Sequence, residues 1–268
     1  MTIDGYDLER RFGGLKRLYG DEALNIITSK SVMVVGIGGV GSWAAEALAR
    51  SGIGRLVLVD LDVVSESNIN RQIHALSSTL GQSKVEAMAV RLREINPQLQ
   101  LELIDDFIEP DNARAVIEAA AVDLVLDCAD QVAAKIAMAL VCRDLAVPLI
   151  MCGGAGGKSD SLALRFSDLS RTHNDALLAK IRQQLRKQHG FAKGSDAQGR
   201  PLKKVPNMGV SCLWIDEPAV LPWTEAEQDA TGLRAPQGLA CAGYGSCVTV
   251  TAAMGLAAVN QVLKLFYS

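Results

Sequence analysis

A glycine-rich turn, GIGGVG at residues 36–41, lies between a predicted buried strand and a predicted helix. Glycines at such a turn let backbone N–H groups and the helix N-terminus approach a phosphate group. Asp60 ends the next apolar run, where a carboxylate can accept hydrogen bonds from ribose hydroxyls. These residues predict a nucleotide site, but they do not separate a dinucleotide from ATP.

The polar loop that follows favours ATP. It contains SNINRQ at 67–72 and GQSKV at 81–85, which supply Arg71 and Lys84. An arginine can bind phosphate oxygens as a fork and a lysine adds a compact positive charge, whereas such a loop suits nicotinamide poorly. We therefore expect a triphosphate beside these two cations.

A carboxylate near a later strand provides a metal ligand. Asp130 follows the apolar part of the fourth predicted strand, at 123–130, and so lies at the carboxyl edge of the sheet. Mg²⁺ is commonly held there by one or two carboxylates together with phosphate oxygens. Asp127 is the competing residue, but its position nearer the strand interior favours a structural role. We predict Mg²⁺ at Asp130.

The elements that must position these residues alternate regularly. Short apolar runs predict strands at 32–38, 55–60, 99–105, 123–130 and 148–154, with helices at 42–52, 83–97, 111–120 and 131–146. This order predicts a doubly wound, mainly parallel α/β sheet of the Rossmann type.

The pattern changes after Gly157. Residues 1–157 are predicted to form a helical N-terminal arm and an ATP-binding domain, and 158–268 an α+β extension in the same globular unit. Within the extension we expect elements in this order: strand 161–166, basic helix 176–189, polar loop 191–204, strand 210–217, loop 218–240 and helix 246–266.

Composition limits the function classes. The chain has 268 residues, 49% of them hydrophobic, and a net charge of −3, so a large core is possible and any nucleic-acid contact requires a local basic patch. The N-terminus lacks an apolar signal segment, which predicts a cytoplasmic protein. Residues 235–263 carry no charge, but their glycine and alanine content favours a buried helix over a membrane span.

The glycine turn, the Asp60/Asp62 pair, SNINRQ, GQSKVE and DCAD together resemble the adenylation signature of the E1-like superfamily, which includes activators of sulfur-carrier proteins. The resemblance covers roughly residues 8–155 and returns at 245–265. It implies ATP as cosubstrate, a homodimer, and a nucleotide site formed by Gly36, Gly38, Gly39, Gly41, Asp60, Asp62, Asn68, Arg71 and Lys84. It also implies catalytic roles for Arg71, Lys84, Asp130 and Arg11. Arg11, in RFGG at 11–14, would reach into the partner's site, although the usual motif has a second arginine where this chain has glycine.

Two features depart from the sulfur-carrier activators. The sequence has no C-x-x-C pair, so the structural zinc site of those enzymes is not expected. Cys212, Cys241 and Cys247 remain open between a catalytic thiol and small core residues. The second departure is a basic segment, whose members are Lys180, Arg182, Arg186, Lys187, Lys193, Arg200, Lys203 and Lys204. It is either a solvated surface or a contact for a polyanion.

Both departures resemble the branch of the superfamily that modifies tRNA. That resemblance implies ATP-dependent activation of the carboxylate of a threonylcarbamoyl group on adenosine 37 of tRNA, followed by ring closure with net loss of water. Two alternatives remain. One is an adenylyltransferase for a ubiquitin-like sulfur carrier, and the other is a non-catalytic nucleotide-binding partner of a cysteine desulfurase system.

Overall fold

The computed structural model describes residues 2–3, 6–196, 198–200, 202–220 and 244–267. Its strands are β1 Thr2–Ile3, β2 Tyr6–Asp7, β3 Ser31–Val35, β4 Arg55–Val59, β5 Gln100–Ile104, β6 Leu124–Asp127, β7 Leu149–Cys152, β8 Leu164–Asp168 and β9 Ser211–Ile215. Its helices are α1 Leu8–Tyr19, α2 Asp21–Ser29, α3 Gly41–Arg50, α4 Lys84–Ile95, α5 Ala113–Ala120, α6 Val132–Leu145, α7 Ala176–Gln188 and α8 Val248–Tyr267.

Seven strands form one sheet in the order β5-β4-β3-β6-β7-β9-β8. Every pairing is parallel except that of β8 with β9. The strand order reverses between β3 and β6, and the loops after these two strands therefore diverge and leave a crevice at the carboxyl edge. Ligands of doubly wound folds bind at this position.

Helices cover both faces of the sheet because its central strands are apolar on both sides. All five residues of β3 are buried, as are all four of β6. Apolar residues of α3, α4 and α8 pack on one face, and those of α5 and α6 on the other. A third cluster joins α6 and α7 beneath β9.

Helix α8 packs closely on α3. A Cβ at Gly255 would lie 2.6 Å from the carbonyl oxygen of Val40 and 2.9 Å from Cβ of Trp43, so the two backbones approach at a distance that only glycine allows. By length and composition α8 is long and apolar enough to cross a membrane, yet it lies against α2, α3 and the sheet as core helices do.

The predicted doubly wound, mainly parallel sheet is confirmed, and most element boundaries agree within a few residues. The strand predicted at 161–166 begins later, because the side chain of Asp160 accepts a hydrogen bond from Leu162 N and starts a short 3₁₀ turn before β8. The N-terminal arm is two helices, separated at Gly20, whose φ is +87°. Of the loop predicted at 218–240, residues 221–240 lie outside the described part of the chain.

Candidate functional site

A cleft of about 480 Å³ opens at the carboxyl edge of the sheet, at the β3/β6 reversal. The predicted site residues that line it are Gly36, Gly38, Gly39, Asp60, Asp62, Asn68, Arg71, Lys84 and Asp130. Gly41 lies beneath the turn instead, where a Cβ would come within 1.8 Å of Gly36 O. Residues separated by up to 94 positions in the sequence therefore converge on one space.

Asp60 holds the glycine turn in place. Its Oδ2 accepts a hydrogen bond from Ile37 N over 2.6 Å, and its Oδ1 accepts one from Asp62 N over 2.9 Å. Burial raises the pKa of Asp60, which the charge of Lys84 and the two N–H donors oppose. Asp60 thus fixes the backbone of the turn; its contact with a ribose stays a prediction.

Lys84 places a buried positive charge at the cleft. The residue begins α4, is only 5% exposed, and its Nζ lies 2.6 Å from Asp62 Oδ2 and 3.8 Å from Asp60 Oδ1. A lysine side chain is rarely buried unless paired, and here Asp60 and Asp62 provide the pairing carboxylates next to the predicted phosphate position.

Arg71 is held from several directions. Its Nη1 donates to Ser67 O over 2.7 Å, and its own carbonyl accepts a hydrogen bond from the indole of Trp43. The neighbouring Asn70 donates through Nδ2 to Ser246 O, which ties this loop to the segment before α8. Asn68 accepts from Ser65 N and so closes the short turn in front of Arg71.

The two aspartates after β6 have different surroundings. Asp127 is fully buried and its Oδ1 lies 2.9 Å from Nζ of the equally buried Lys135, in agreement with the structural role expected for it. Asp130 is exposed at the cleft. The described residues contain no group of three or more acidic, His or Cys side chains arranged to hold a metal. A single carboxylate fits a Mg²⁺ ion that is also bound by phosphates and water, but not one held by protein alone.

A second wall of the cleft was not predicted from the sequence. This wall is formed by the glycine-rich loop at residues 153–157. Lys158, which follows the loop, lines the cleft together with Asn174 and Asp175. Lys158 is 5% exposed and donates to the carbonyls of Asn174, Ile215 and Glu217. The GGAGGK run after the fifth predicted strand was the available signal, because it repeats the strand-then-glycine pattern of the first turn.

Asp175 links this loop to the basic helix α7. Its Oδ2 accepts from Gly154 N and its Oδ1 accepts from Leu178 N, each over 2.9 Å. The same side chain therefore caps the N-terminus of α7 and holds the second glycine loop.

A scan of protein families matches the ThiF family over residues 10–268. The chain belongs to the ThiF family. It is 42% identical over 258 residues to the tRNA threonylcarbamoyladenosine dehydratase of Escherichia coli strain K12, covering 95% of this chain and 92% of the relative. It is 38% identical to the enzyme of the same name from Haemophilus influenzae, covering 97% and 94%.

A solved structure agrees with these sequence matches. The crystal structure of the E. coli enzyme, TcdA, in complex with ATP superposes with a TM-score of 0.82 at 39% identity, covering 99% of this chain and 96% of that chain. The expected membership of the E1-like superfamily, in its tRNA-modifying branch, is thereby confirmed.

Cys128 and Cys212 of this ThiF protein are poor nucleophiles. Burial raises the pKa of Cys212 well above its ordinary value, and the neighbouring Cys152, followed by burial, does the same for Cys128. Cys247 is half-buried beside Thr249 and does not line the cleft. Cys241 lies outside the described residues.

Two arginines of the basic segment make hydrogen bonds within the fold. Arg182 donates to the carbonyl and the hydroxyl of Thr172 over 2.7 and 2.6 Å, and Arg186 donates to Ala192 O over 3.0 Å. Both residues are half-buried, and a phosphate contact by either of them stays a prediction. The exposed cations that remain are Lys180, Lys187, Lys193, Arg200, Lys203 and Lys204, of which Arg200 is paired with Asp196 over 2.8 Å.

Arg11 lies away from the cleft of its own chain. Its Nη1 donates to the carbonyls of Glu94 and Ile95 at the end of α4, each over 2.8 Å. A cation at the last carbonyls of a helix stabilises that helix, which gives Arg11 a role within the subunit. Its predicted reach into a partner's site stays a prediction.

Proposed function

We propose that this chain catalyses the ATP-dependent dehydration of threonylcarbamoyladenosine at position 37 of tRNA, through an acyl-adenylate. The observation that carries the proposal is the nearly full-length match to dehydratases of that name, combined with a cleft that brings Arg71 and Lys84 to a phosphate-binding glycine turn. The match covers 92% of the first relative and 94% of the second.

In the first step the substrate carboxylate is activated. One of its oxygens attacks the α-phosphorus of ATP, and pyrophosphate leaves with the electron pair of the broken P–O bond. Arg71 and Lys84 stabilise the charge on the phosphoryl oxygens and on the leaving group, and the glycine turn adds backbone donors. Because Asp60 and Trp43 fix these groups beforehand, little reorganisation is needed as charge develops.

In the second step the ring closes. A nucleophilic atom of the carbamoyl group bonds to the acyl carbon, the bond from that carbon to the AMP oxygen breaks, and a proton leaves the carbamoyl group. AMP keeps the former carboxylate oxygen, so the product has lost the elements of water. The step needs neither a thiol nor zinc.

The remaining expectations extend this proposal. Mg²⁺ would be held by Asp130 and phosphate oxygens, where it neutralises phosphate charge. The exposed lysines of the basic segment would contact the tRNA backbone, in a homodimer located in the cytoplasm. A link to a cysteine desulfurase system has no specific support in the described residues.

The alternative is activation of a ubiquitin-like sulfur carrier. Against it stands the absence of C-x-x-C pairs from the sequence. Pyrophosphate release decides between the two: we would measure it with tRNA bearing the threonylcarbamoyl group, with unmodified tRNA, and with carrier proteins that end in Gly-Gly. Release that requires the modified tRNA supports the proposal, and release driven only by a carrier protein would overturn it.

A further inference from the structure

The second glycine loop, residues 153–157, lies across β6 from the first, at the end of β7. Its shape depends on glycine. A Cβ at Gly153 would come within 2.2 Å of Asp175 Oδ2, and one at Gly156 would come within 2.9 Å of Cβ of Tyr244. Backbone therefore forms this wall of the cleft, because no side chain fits between the loop and its supports.

Two backbone N–H groups of this loop are not hydrogen-bonded within the part of the chain that the structure describes. Gly153 N donates to Leu213 O, Gly154 N to Asp175, and Gly157 N to Gly245 O. Across the described ranges, the N–H groups of Ala155 and Gly156 make no hydrogen bond. Ala155 is buried and Gly156 is half-buried at the cleft. Because buried backbone N–H groups are nearly always paired, the unpaired N–H of Ala155, with that of Gly156 beside it, indicates a place for a ligand acceptor.

The Lys158 side chain lies next to this loop. Its Nζ donates to three backbone carbonyls, and the residue is almost completely buried. Burial lowers the pKa of Lys158, and the carboxylates of Asp175, Glu217 and Asp216 oppose this shift. The wall therefore offers a ligand its unpaired backbone N–H groups, which suit an oxygen acceptor.

Under the proposed function, the nucleotide lies on the opposite side of the cleft from this loop, across the point where the strand order reverses between β3 and β6. Arg71 and Lys84 lie near β4, and Asp106 to Ile108 extend the cleft toward β5. A carboxylate that attacks the α-phosphorus must approach from the side not filled by the nucleotide, which is the β7 side. The loop at 153–157 lines the cleft on that side.

We propose that the loop at 153–157 is the subsite for the acyl group of the substrate. The N–H groups of Ala155 and Gly156 donate to the substrate oxygen that is carboxylate first, carbonyl in the adenylate, and oxyanion during ring closure. Such donors matter most when the negative charge is concentrated on one oxygen, as it is in the tetrahedral intermediate. The inference rests on the proposed function, because it assigns the second substrate of that reaction.

Gly154 provides the test. It lines the cleft, and a Cβ placed on it would meet no heavy atom within 4 Å. A side chain at position 154 therefore occupies space in the cleft without displacing the residues that hold the loop. Gly245 is the matched control: its Cβ would also meet nothing within 4 Å, its carbonyl accepts from Gly157 N, and it does not line the cleft.

We would compare wild type, Gly154→Ala, Gly154→Val and Gly245→Ala. For Gly154→Val we expect kcat/KM on the modified anticodon stem-loop to fall at least about tenfold, with a smaller loss for Ala, because the acyl group is displaced. For both Gly154 variants, the Kd values for ATP and for unmodified stem-loop should stay within about twofold of wild type. For Gly245→Ala, these Kd values and kcat/KM should all stay within about twofold of wild type.

Two results would overturn the subsite. Wild-type kcat/KM in Gly154→Val would show that no substrate group occupies this wall, and an equal loss of ATP affinity would assign the wall to the nucleotide. Turnover of the modified stem-loop by the wild-type protein tests the proposed function itself. The ratio of kcat/KM between the variant and the wild type tests only the subsite. An inactive wild type would end both proposals.

Discussion

The indole N–H of Trp43, on α3, donates a hydrogen bond to the backbone carbonyl of Arg71 over 2.9 Å. Arg71 belongs to the polar loop at 67–72, which has no regular strand or helix to hold it apart from a short 3₁₀ turn. Thr251, on α8, lies with its hydroxyl 3.5 Å from the same carbonyl. The position of the Arg71 backbone therefore depends on side chains from two helices.

Trp43→Phe should lower kcat more than it raises KM for ATP. The ring is largely replaced but the donor is lost, and the freed loop places the guanidinium less accurately; misplacement at a reacting centre costs roughly tenfold to a hundredfold in rate. Steady-state kinetics with modified tRNA would measure this. A change in KM alone, with kcat unaltered, would show that the indole serves only binding.

Lys84→Met should reduce pyrophosphate release by at least about a hundredfold, because one charge that stabilises the leaving group is lost. Affinity for unmodified tRNA should persist. Lys264→Met, on the exposed side of α8, removes a lysine outside the cleft and is the control. Near-normal release by Lys84→Met, with folding verified by a cooperative thermal transition, would remove Lys84 from the proposed mechanism.

Asp130→Asn should raise the Mg²⁺ concentration for half-maximal activity, since the one exposed carboxylate of the proposed metal site becomes a neutral amide. Asp111→Asn, at an exposed turn before α5, is the matched control. A Mg²⁺ titration of pyrophosphate release gives both values. If Asp130→Asn follows the wild-type curve, the ion is held without this residue.

Replacing Lys187, Lys203 and Lys204 together by glutamine should weaken tRNA binding and flatten its dependence on salt. Each phosphate contact that is lost lowers the slope of log K against log salt by about 0.7–0.9. The control replaces Lys16 and Lys264, which lie on α1 and α8. Fluorescence titrations at several salt concentrations measure the slope, and an unchanged slope would place the RNA elsewhere.

His74 should make the protein less stable in acid. Its ring is 2% exposed, neither nitrogen has a hydrogen-bond partner among the described residues, and burial lowers its pKa to about 4. The unfolded chain takes up this proton near the ordinary pKa of about 6.5, so stability is full above that pH and falls as the pH drops toward 4.

By pH 5 the loss from this residue should reach about 2 kcal/mol. Urea unfolding of wild type and His74→Leu at pH 7.5 and 5 would isolate it, because the other titrating groups contribute equally to both proteins. The leucine variant should lose less stability between the two pH values. Equal losses in the two proteins would mean that His74 titrates normally.

The nucleotide half of the site was predictable because its signals are local. The glycine turn, Asp60 and Lys84 each stand next to an apolar run whose strand or helix character fixes their position at the sheet edge. The GGAGGK run marked the loop before Lys158, but not the burial of its side chain, since its partners Ile215 and Glu217 are 57 and 59 residues away and offer only backbone carbonyls.

In the basic segment, the sequence does not predict which cations remain exposed. A count of charges treats Arg182 and Lys187 alike, but a guanidinium with a carbonyl and a hydroxyl within reach is retained by its own fold, whereas an exposed ammonium remains available. Which of the two occurs depends on contacts with Leu169 and Thr172, and no periodicity in the sequence encodes them.

The carboxylate of Asp175 is a common anchor for helix α7 and the glycine loop at 153–157. Since one of its oxygens fixes Leu178 and the other fixes Gly154, any force that tilts α7 is transmitted to the loop through a single rigid group. If RNA binds the outer lysines as proposed, binding energy gained on α7 would reach the cleft through these two hydrogen bonds and could improve the alignment of the substrate there.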